Sequence, residues 1–507
     1  MSPQSTVDKV IISNRSALNA KYGKQGTGLI YGELEKLIAT DTLRGLRTAI
    51  FDIDDPLQMD AIGGSAVHDA QDEIGAKSAV DAIYAHYTPD YILLLDGPDV
   101  IPHIALHPIA GVNDSDHDIE SDLPYACANG FSKNASNFVA VTRVVGRLPA
   151  TPGETDAGKL IALIENSVKH AGRPASDFGK FFSISADVWK QSTQLSLKSI
   201  FGKASPLLVS PPDDHPVIDA SLSHPIHFIN CHGATADPRF YGERARRFPV
   251  AIQSARLAPH VTRGTIVAAE CCFGTQLYNQ NLMQTDDPIC MAYLMNGAAA
   301  IWGSTNIAYG PAASNGMADL IAQFYLQSIL AGASTGRAAL VARQRFVQTQ
   351  RMANPLNLKT LAQFVLYGDP SLHPIADTQI ASETTPDALS HRKSIRSALA
   401  SNGKAIASSA SLPGTTSKAE SRATERFRDI AKQKGYAAEP ALLTVSGGAQ
   451  FRMTAKGRDE KQQVMIAIEE KALARNELGT PPFPVYRAIV GHLLGDGIFS
   501  IQEYESR

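Results

Sequence analysis

Two apolar runs of this sequence each end in residues that could do nucleophilic chemistry. The run PIHFINC leads to His232 and Gly233, and the run GTIVAAE leads to Cys271 and Cys272, with Gly274 two residues further on. A thiol that attacks a carbonyl carbon needs a nearby imidazole to move protons. It also needs N–H donors for the oxyanion that forms. His232 and Cys272 could supply the first pair of groups, and the amides of Gly233 and Cys272 the second.

The same residues have a simpler interpretation, because free cysteines are usually buried and chemically inert. Two features favour the catalytic interpretation. The separation of His232 and Cys272 leaves room for one crossover connection between neighbouring parallel strands. Such strands bring their carboxyl ends to one edge of a sheet, where open α/β sheets form their binding sites. We therefore expect the thiol and the imidazole to meet at that edge.

The elements that would position these residues follow from the alternation of short apolar runs with amphipathic stretches. This alternation predicts an α/β fold around a largely parallel sheet. Predicted strands cover 10–13, 46–53, 91–97, 181–187, 225–233, 264–272 and 297–306. A helix is predicted from Gly153, with Thr151 and Glu154 at capping-box spacing. From about Pro440, runs such as LLTVS, FRMTA and QVMIAIE alternate like half-buried strands and predict a small β-rich domain.

Composition and charge narrow the classes of function. The 507 residues carry a net charge of -3, so neither nucleic acid nor an anionic membrane is expected as a partner. The five cysteines include no CxxC and no Cys/His pair at zinc spacing. The start, MSPQSTVDKVIIS, lacks the pattern of a signal peptide, and no apolar stretch is long enough to cross a bilayer. We expect a cytoplasmic protein with free thiols.

The order of these motifs resembles the caspase-like cysteine peptidases, and more specifically the gingipain family. In that class a strand ending in His-Gly precedes a strand ending in Cys-x-Gly, as 232–233 precedes 272–274 here. Similar segments occur in one collinear order over residues 8 to 375. They are RGLRT (44–48), YILLLDGPDVIP (91–102), SDLPY (121–125), VGRLPA (145–150), HG (232–233), AAECCFG (268–274), GAAAIWGSTN (297–306) and YGDPSL (367–372).

The resemblance implies an α/β fold with a caspase-like open, mostly parallel sheet flanked by helices, in two gingipain-like subdomains. The expected units are an N-terminal α/β subdomain at 1–175 and a caspase-like catalytic subdomain at 176–377. A flexible linker at 378–439 and a small β-rich C-terminal domain at 440–507 are expected to follow. The linker is expected because the sequence after Thr378 is rich in Ser, Ala, Thr and Lys.

The resemblance also implies a cysteine endopeptidase. Cys272 is the expected nucleophile because Gly274 follows two residues later and leaves room beside the thiol, whereas Cys271 is expected to pack in the core. His232 would move the protons, and the amides of Gly233 and Cys272 would hold the oxyanion. Gingipains place an acidic residue behind the histidine, at the end of an earlier strand. By position the matching residue is Asp187.

Cleavage after Arg or Lys is the specificity that the resemblance implies, with an acidic residue in the primary pocket. The segment VWKQSTQLSLKS after Asp187 has no carboxylate, so the chain departs from the family at that point. Four acids on other loops could supply the charge, and the sequence does not choose among Asp237, Glu243, Asp286 and Asp287. Of these, Asp286 and Asp287 are included in the expected substrate site.

A segment that matches the family is expected to line the substrate groove. It contains Trp302, Ser304 and Thr305, with Tyr309 shortly after. The alternative for Trp302 is an aromatic side chain buried in the core.

One loop has the oxygen-rich composition of a calcium site. NDSDHDIESD places Asp114, Asp116 and Asp118 two residues apart, without the Gly and Glu of an EF-hand loop. A solvated acidic loop is the alternative. No cofactor is expected to be required.

Two other functions remain open at this point. The chain could be an inactive caspase-like scaffold that binds peptides, or a thiol acyltransferase such as a transpeptidase. As a peptidase it would act on protein or peptide substrates and is expected to stay inactive until triggered, by its own C-terminal part or by a regulatory protein partner. The linker is then expected to be a site of cleavage, because polar, flexible segments are where nicking concentrates.

Overall fold

The helices and strands follow the apolar runs of the sequence. A computed structural model of the chain describes residues 7–213, 219–376, 407–410, 418–446, 462–474, 482–494 and 497–507. Its strands are β1 Lys9–Ser13, β2 Thr48–Asp52, β3 Tyr91–Leu95, β4 Ile104–Leu106, β5 Ile119–Ser121, β6 Val145–Leu148, β7 Phe182–Ala186, β8 Leu208–Ser210, β9 Ile226–Asn230, β10 His232–Gly233, β11 Arg239–Tyr241, β12 Val250–Gln253, β13 Ile266–Ala269, β14 Ala300–Ser304, β15 Tyr309–Gly310, β16 Phe364–Gly368, β17 Ala407–Ala410, β18 Ala441–Ser446, β19 Gln462–Ala474, β20 Phe483–Leu494 and β21 Gly497–Ser506. Its α-helices are α1 Arg15–Leu43, α2 Pro56–Ala61, α3 Glu73–Tyr87, α4 Ala157–Val168, α5 Lys190–Phe201, α6 Gln280–Met283, α7 Ile289–Met295, α8 Met317–Leu330, α9 Thr335–Thr349, α10 Pro355–Gln363 and α11 Lys418–Gln433.

One large sheet organises the described residues up to 376. Its ten strands lie in the order β2-β1-β3-β6-β16-β14-β13-β9-β7-β8. Every neighbouring pair is parallel except β14 and β16, which run antiparallel, so two parallel halves meet in one continuous sheet. Helices α1, α4 and α7 pack in one group, and α5, α8, α9 and α10 in another. The predicted open, mostly parallel α/β sheet with flanking helices is confirmed.

The strands that carry the site are buried on both faces. In β9, β13 and β14 every residue is buried, which matches the continuous apolar runs from which they were predicted. Two predicted strands end earlier than expected. β13 stops at Ala269, so that Cys271 and Cys272 lie in the turn beyond it. β9 stops at Asn230, and His232–Gly233 then pair antiparallel with β11 in a separate three-stranded sheet.

The predicted start of α4 is wrong. The helix begins at Ala157, and its N-cap is Asp156, whose side chain accepts a hydrogen bond from the amide of Gly158. Thr151 lies outside the helix, where its carbonyl oxygen accepts a hydrogen bond from Lys21. The capping-box spacing at 151–154 was therefore coincidental, because Asp156 caps the helix more directly.

The C-terminal strands form a second sheet that reaches into the catalytic half. Its described order is β15-β21-β20-β19-β18-β17, all antiparallel. Along β19, Met465 and Ala467 pack in the cluster that contains Phe427 of α11, while Val464 and Ile466 join the main core. This period-two alternation is why the runs were predicted as half-buried strands. The strand predicted at FRMTA lies outside the described residues.

The segment predicted as a linker contains ordered structure at its end. Helix α11, Lys418–Gln433, lies inside the expected linker 378–439 and packs on the C-terminal sheet. The short strand β17 also falls there and pairs with β18. Residues 377–406 and 411–417 lie outside the described residues, so the linker and its cleavage stay predictions there. None of the helices in the described ranges is both long and apolar enough to cross a bilayer.

A buried ionic cluster joins the first strand to the end of the last strand in the large sheet. The ammonium of Lys9 donates hydrogen bonds to Asp41 at 2.9 Å, to Asp369 at 2.5 Å and to the hydroxyl of Ser371 at 3.1 Å. The Lys9, Asp41 and Asp369 side chains are fully buried. Removing the cation would leave two carboxylates buried without compensation, which is costly in a low-dielectric interior.

We expect Lys9→Met to lower the free energy of unfolding by about 3–5 kcal/mol, measured by urea denaturation. The matched control is Arg47→Met, which breaks the exposed ion pair with Asp8 and should cost less than about 1 kcal/mol. Equal losses in the two variants would contradict a structural role for the buried cluster.

Candidate active site

The two predicted catalytic segments touch each other. β9 and β13 are neighbouring parallel strands in register, with Ile226 opposite Ile266. Beyond their ends the chain comes so close that a Cβ atom at Gly233 would lie 1.8 Å from the carbonyl oxygen of Cys272. Only glycine allows this approach, so the His-Gly motif has a steric reason as well as a chemical one.

Two amides converge on one oxygen atom at this contact. The amide of Cys272 donates to the main-chain oxygen of Arg507 at 3.0 Å, and the amide of Gly233 donates to the same oxygen at 3.4 Å. These are the two donors predicted for the oxyanion. Two donors aimed at one oxygen in this way could serve as an oxyanion hole, where negative charge would develop. In this conformation the oxygen comes from the protein's own C-terminal strand.

His232 is buried beside a carboxylate. Its Nε2 lies 2.8 Å from Oε2 of Glu243, which follows β11. The carboxylate can only accept, so Nε2 carries the proton and Nδ1 is left as the free basic atom. Burial lowers the pKa of His232, and the hydrogen bond and charge of Glu243 oppose that shift. The imidazole therefore stays neutral and oriented, as a general base requires.

The Cys272 side chain is 3% exposed and contacts the backbone of Ala308. Its sulfur accepts a hydrogen bond from the Ala308 amide at 3.2 Å and lies 3.5 Å from the Ala308 carbonyl oxygen. Burial raises the pKa of Cys272 to about 12. The thiol is thus protonated and unreactive in this conformation, because the thiolate is the nucleophile. Cys271 is fully buried near the carbonyl of Ile229, in the packing role expected for it.

The acid next to the histidine is not the one expected from the sequence. Asp187 directly follows the end of β7, but its carboxylate forms an ion pair with Arg244, and the two side chains are 28% and 47% exposed. The chain turns at Asp187 so that the indole of Trp189, not the carboxylate, reaches the imidazole, with ring centres 4.3 Å apart. Among the described residues, the carboxylate that hydrogen-bonds His232 belongs to Glu243.

A closed pocket beside the oxyanion hole holds the side chain of Arg507. Its guanidinium donates to both carboxylate oxygens of Asp319 at 2.9 and 3.0 Å and to Oδ1 of Asn230 at 2.8 Å. The carbonyl of Pro311 accepts a further hydrogen bond at 3.1 Å. The indole of Trp189 covers the guanidinium, 4.6 Å from its central carbon. The pocket therefore holds the guanidinium of Arg507 by charge, by directed acceptors and by a cation–π contact.

A second buried carboxyl group lies beside the pocket acid. Glu270 is fully buried between the end of β13 and Cys271. Burial and the neighbouring charge of Asp319 raise the pKa of Glu270 well above its ordinary value. Burial also raises the pKa of Asp319, but the guanidinium of Arg507 opposes that shift, so Asp319 is the one of the two carboxyl groups that favours the charged form.

Trp302 does not line a groove. The side chain is fully buried, stacked on Tyr325 at 5.5 Å and tilted against Phe364 at 5.7 Å. It lies on β14 in the middle of the large sheet, where both faces are covered. The core interpretation of Trp302 is the one that fits the structure.

The other residues expected in the substrate site have different contacts. Ser304 and Thr305 are buried, and their hydroxyls donate to the carbonyls of Asn306 and Glu120, which fixes the loop after β14. Asp287 lies near Lys159 at 3.5 Å. Within the described residues, the acid that contacts the Arg507 guanidinium is Asp319, which was not among the four candidates.

The acidic loop expected as a calcium candidate is held by a lysine. The Lys359 ammonium forms ion pairs with Asp114 and, at 2.7 Å, with Asp116. Asp114 also accepts from the Tyr309 hydroxyl at 3.0 Å, and the carbonyl of Asp118 accepts from a side-chain amide. A cation already compensates these carboxylates, so they do not fit a calcium ion. No cluster of three or more potential metal ligands occurs in the part of the chain that the structure describes.

Sequence reasoning missed four residues of this site. Asn230 could have been noticed, because it is a polar residue within the apolar run that was predicted as the strand 225–233, two positions before His232. Trp189, Gly310 and Asp319 gave no such signal, since each enters the site from a separate element. Glu243 was noticed only as a possible pocket acid.

We expect Glu243→Gln to lower kcat/KM by about 10²-fold, because the glutamine amide has no negative charge and can also present an N–H donor to Nε2, so it no longer fixes the tautomer of the imidazole. Asp187→Asn is the matched control, since its carboxylate faces Arg244 near the surface, and activity should stay within about twofold. Peptide hydrolysis measured across a pH range would test both variants. A larger loss in Asp187→Asn than in Glu243→Gln would reverse the assignment.

Comparisons with known proteins agree with the motifs. Residues 252–375 match the sequence model of peptidase family C25, a segment that includes Cys272. No curated protein sequence matches the chain. Solved structures similar to the chain include the Arg-specific cysteine proteinase gingipain R, at 11% identity and TM-score 0.49, covering 99% of this chain and 98% of that one. A complex of the pro- and mature domains of Porphyromonas gingivalis RgpB has the same identity and TM-score, covering 98% and 99%. The separase–securin complex of Saccharomyces cerevisiae is similar over 45% of this chain and 14% of that chain, at 13% identity and TM-score 0.31.

The matched segment begins in β12 and ends after β16, so of the large sheet it covers β13, β14 and β16, and it includes the turn that carries Cys272 but not His232. It supports a cysteine peptidase function for the chain. The resemblance to the gingipain family of cysteine peptidases, inferred from the ordered motifs, is confirmed by this match.

Proposed function

We propose that the protein is a cysteine endopeptidase that cleaves protein or peptide substrates after a basic residue, and after arginine in preference to lysine. The observation that carries the proposal is the pair of amides, from Gly233 and Cys272, aimed at one main-chain oxygen. The same residue that supplies this oxygen, Arg507, also fills the acidic pocket. The distance between hole and pocket therefore equals the distance between the carbonyl and the side chain of one arginine.

The chemistry follows from these groups. With a substrate carbonyl in the hole, His232 Nδ1 takes the proton of the Cys272 thiol, and the sulfur attacks the carbonyl carbon. The amides of Gly233 and Cys272 stabilise the oxyanion, and protonated His232 then delivers its proton to the departing amine. Water, activated by the same imidazole, hydrolyses the thioester and regenerates the thiol. Glu243 keeps Nε2 protonated throughout.

The pocket favours arginine for a geometric reason. Acceptors lie around two guanidinium nitrogens, with Asp319 and Pro311 at one and Asn230 at the other. A lysine ammonium is a single point charge and cannot meet separated acceptors in this way. The flat face of Trp189 also suits a planar guanidinium.

A digest of a peptide library, read by mass spectrometry, tests the proposal. Because Arg507 occupies the pocket, the digest is run with the wild-type chain and with Arg507→Ala in parallel. Cleavage after Arg is expected. It should be lost in Cys272→Ala and equally in His232→Ala, because the thiol and the imidazole act as a unit. Cys271→Ala is the matched control and should keep at least about a tenth of the activity.

Three results would contradict this function. The library could show no Cys272-dependent product, as expected for an inactive scaffold. Its products could carry an added amine in place of water, as expected for an acyltransferase. Cleavage could also be dominated by small, apolar or acidic residues before the scissile bond.

The pocket acid gives a second prediction. Asp319→Asn should lower kcat/KM for arginyl substrates by about 10²-fold or more, because the guanidinium then lies buried without a counter-charge. Glu270→Gln is the matched control: the raised pKa of Glu270 favours its neutral form, so a neutral replacement of the same shape should cost less than about tenfold. Equal losses in the two variants would show that the charge does not reside on Asp319.

A further inference from the structure

The cleft is occupied by the chain itself. β21 runs antiparallel beside β15, with Ser506 opposite Tyr309 and Glu505 opposite Gly310. The amide of Arg507 donates to the carbonyl of Ala308 at 2.9 Å and continues the ladder to the catalytic centre. This is how an extended peptide adds a strand to an exposed sheet edge. Residues 505–507 thus lie where the residues before the scissile bond of a substrate would lie.

We infer that β21 is an intramolecular inhibitor, whose residues Glu505–Arg507 bind the cleft as a substrate would and must leave before a substrate can enter. The inference rests on the proposed function and adds the regulation of the same site. Three groups of the site are engaged at once: the oxyanion donors, the pocket acid and the strand edge. A substrate needs all three.

The fit in the pocket is close. Arg507 is fully buried, and a Cβ atom at Gly310 would lie 2.2 Å from its Nη2. The pocket wall therefore needs the glycine to admit this side chain, and no second basic side chain could enter beside it. Occupation by β21 and occupation by substrate are mutually exclusive.

The C-terminal sheet also covers the histidine. Phe483 of β20 lies 6.1 Å from the His232 ring, in a small apolar cluster with Phe248 and Tyr241. Lys471 of β19 lies 3.5 Å from Glu243 and 3.0 Å from Glu505. These contacts bury His232 and leave the carboxylate that orients it paired with a cation from the C-terminal sheet. The closed state therefore blocks the base as well as the binding cleft.

The strand pairing also shows where the C-terminal sheet could separate from the cleft. β21 is joined to β15 by only two residue pairs, whereas its ladder with β20 extends from Leu494 to Arg487. A cavity of about 240 Å³ remains between residues 501–504 of β21 and the loop 311–317. The hydrogen-bonded ladder that must break for β21 to leave the cleft is therefore short, and Val464 and Ile466 of β19 must separate from the main core if the whole sheet leaves. Because β21 belongs to the same chain as the site, its binding is intramolecular and does not depend on the protein concentration.

Alkylation of Cys272 by iodoacetamide tests this inference without relying on catalysis. The full chain is treated at pH 8, and the modification of each cysteine is followed by mass spectrometry. In the wild type Cys272 should react slowly, because it is buried and protonated. Arg507→Ala removes the buried ion pair with Asp319 and should raise the Cys272 rate by about 10²-fold. Arg507→Lys keeps the charge but not the planar donors, and should give an intermediate rate.

The controls separate opening of the cleft from general loosening. Arg428→Ala removes another arginine of the C-terminal unit, exposed and paired with Glu439, and should leave the Cys272 rate unchanged. Cys127 and Cys290, which are buried elsewhere, should stay protected in every variant. Added peptide Tyr-Glu-Ser-Arg, the sequence of 504–507, should protect Cys272 again in Arg507→Ala, and Tyr-Glu-Ser-Ala should not.

An unchanged Cys272 rate in both Arg507 variants would overturn the inference, and so would failure of the arginyl peptide to protect. Hydrolysis of an arginyl peptide substrate is measured in the same samples. If the Cys272 rate and its protection behave as expected but no variant cleaves the substrate, the proposed peptidase activity is wrong while the occupation of the cleft by Arg507 stands. If cleavage is equally fast in the wild type and in Arg507→Ala, the activity stands and the inhibition is overturned.

Discussion

The contact between Gly233 and the carbonyl of Cys272 is the constraint on which the rest of the site depends. It brings the ends of two neighbouring parallel strands to the distance at which their amides share one acceptor. A side chain at position 233 would push the two segments apart and separate those donors. The hole, the thiol and the imidazole are therefore placed by one main-chain approach, and the large sheet serves to hold it. The pocket is then fixed by the reach of an arginine from that hole.

Charge distribution explains why the closed state is stable. The site contains two ionised acids that are almost fully buried, Asp319 and Glu243, and buried charges need partners. Both receive a cation from the C-terminal sheet, Arg507 in one case and Lys471 in the other. When that sheet leaves, Asp319 has lost its counter-charge until a basic substrate side chain replaces it. Under the proposed function, closure and specificity use the same electrostatic requirement, which gives a physical reason for an inhibitor that resembles a substrate.

Much of the fold could be predicted because its signals are local. Short apolar runs such as 226–230 and 266–269 are buried on both faces, and such runs are typical of a parallel sheet. The alternation of side chains along β19 is typical of a half-buried strand. Parallel strands share an edge, so His232 and Cys272 could be brought together from the sequence alone. The backbone N–H donors could be predicted with them, because every residue except proline has an amide N–H and only its position in the fold decides whether it reaches the site. Helix boundaries were less accessible, as α4 shows, since several side chains near its start could cap it.

The acids could not be located from the sequence for a different reason. Asp187 has the expected position after a strand, but position in sequence does not say which way the chain turns, and the turn presents Trp189 to the histidine. Glu243 reaches His232 through the β10–β11 pairing, and Asp319 reaches the pocket from the first turn of a helix. The role of each of these carboxylates follows from the side chain that it contacts, and the sequence does not show that contact. Asp319 and Arg507, for example, are separated by 188 residues. The proposed pocket acid and the proposed inhibitor strand therefore could not be predicted separately, because Asp319 is recognised through the ion pair that it forms with Arg507 of β21.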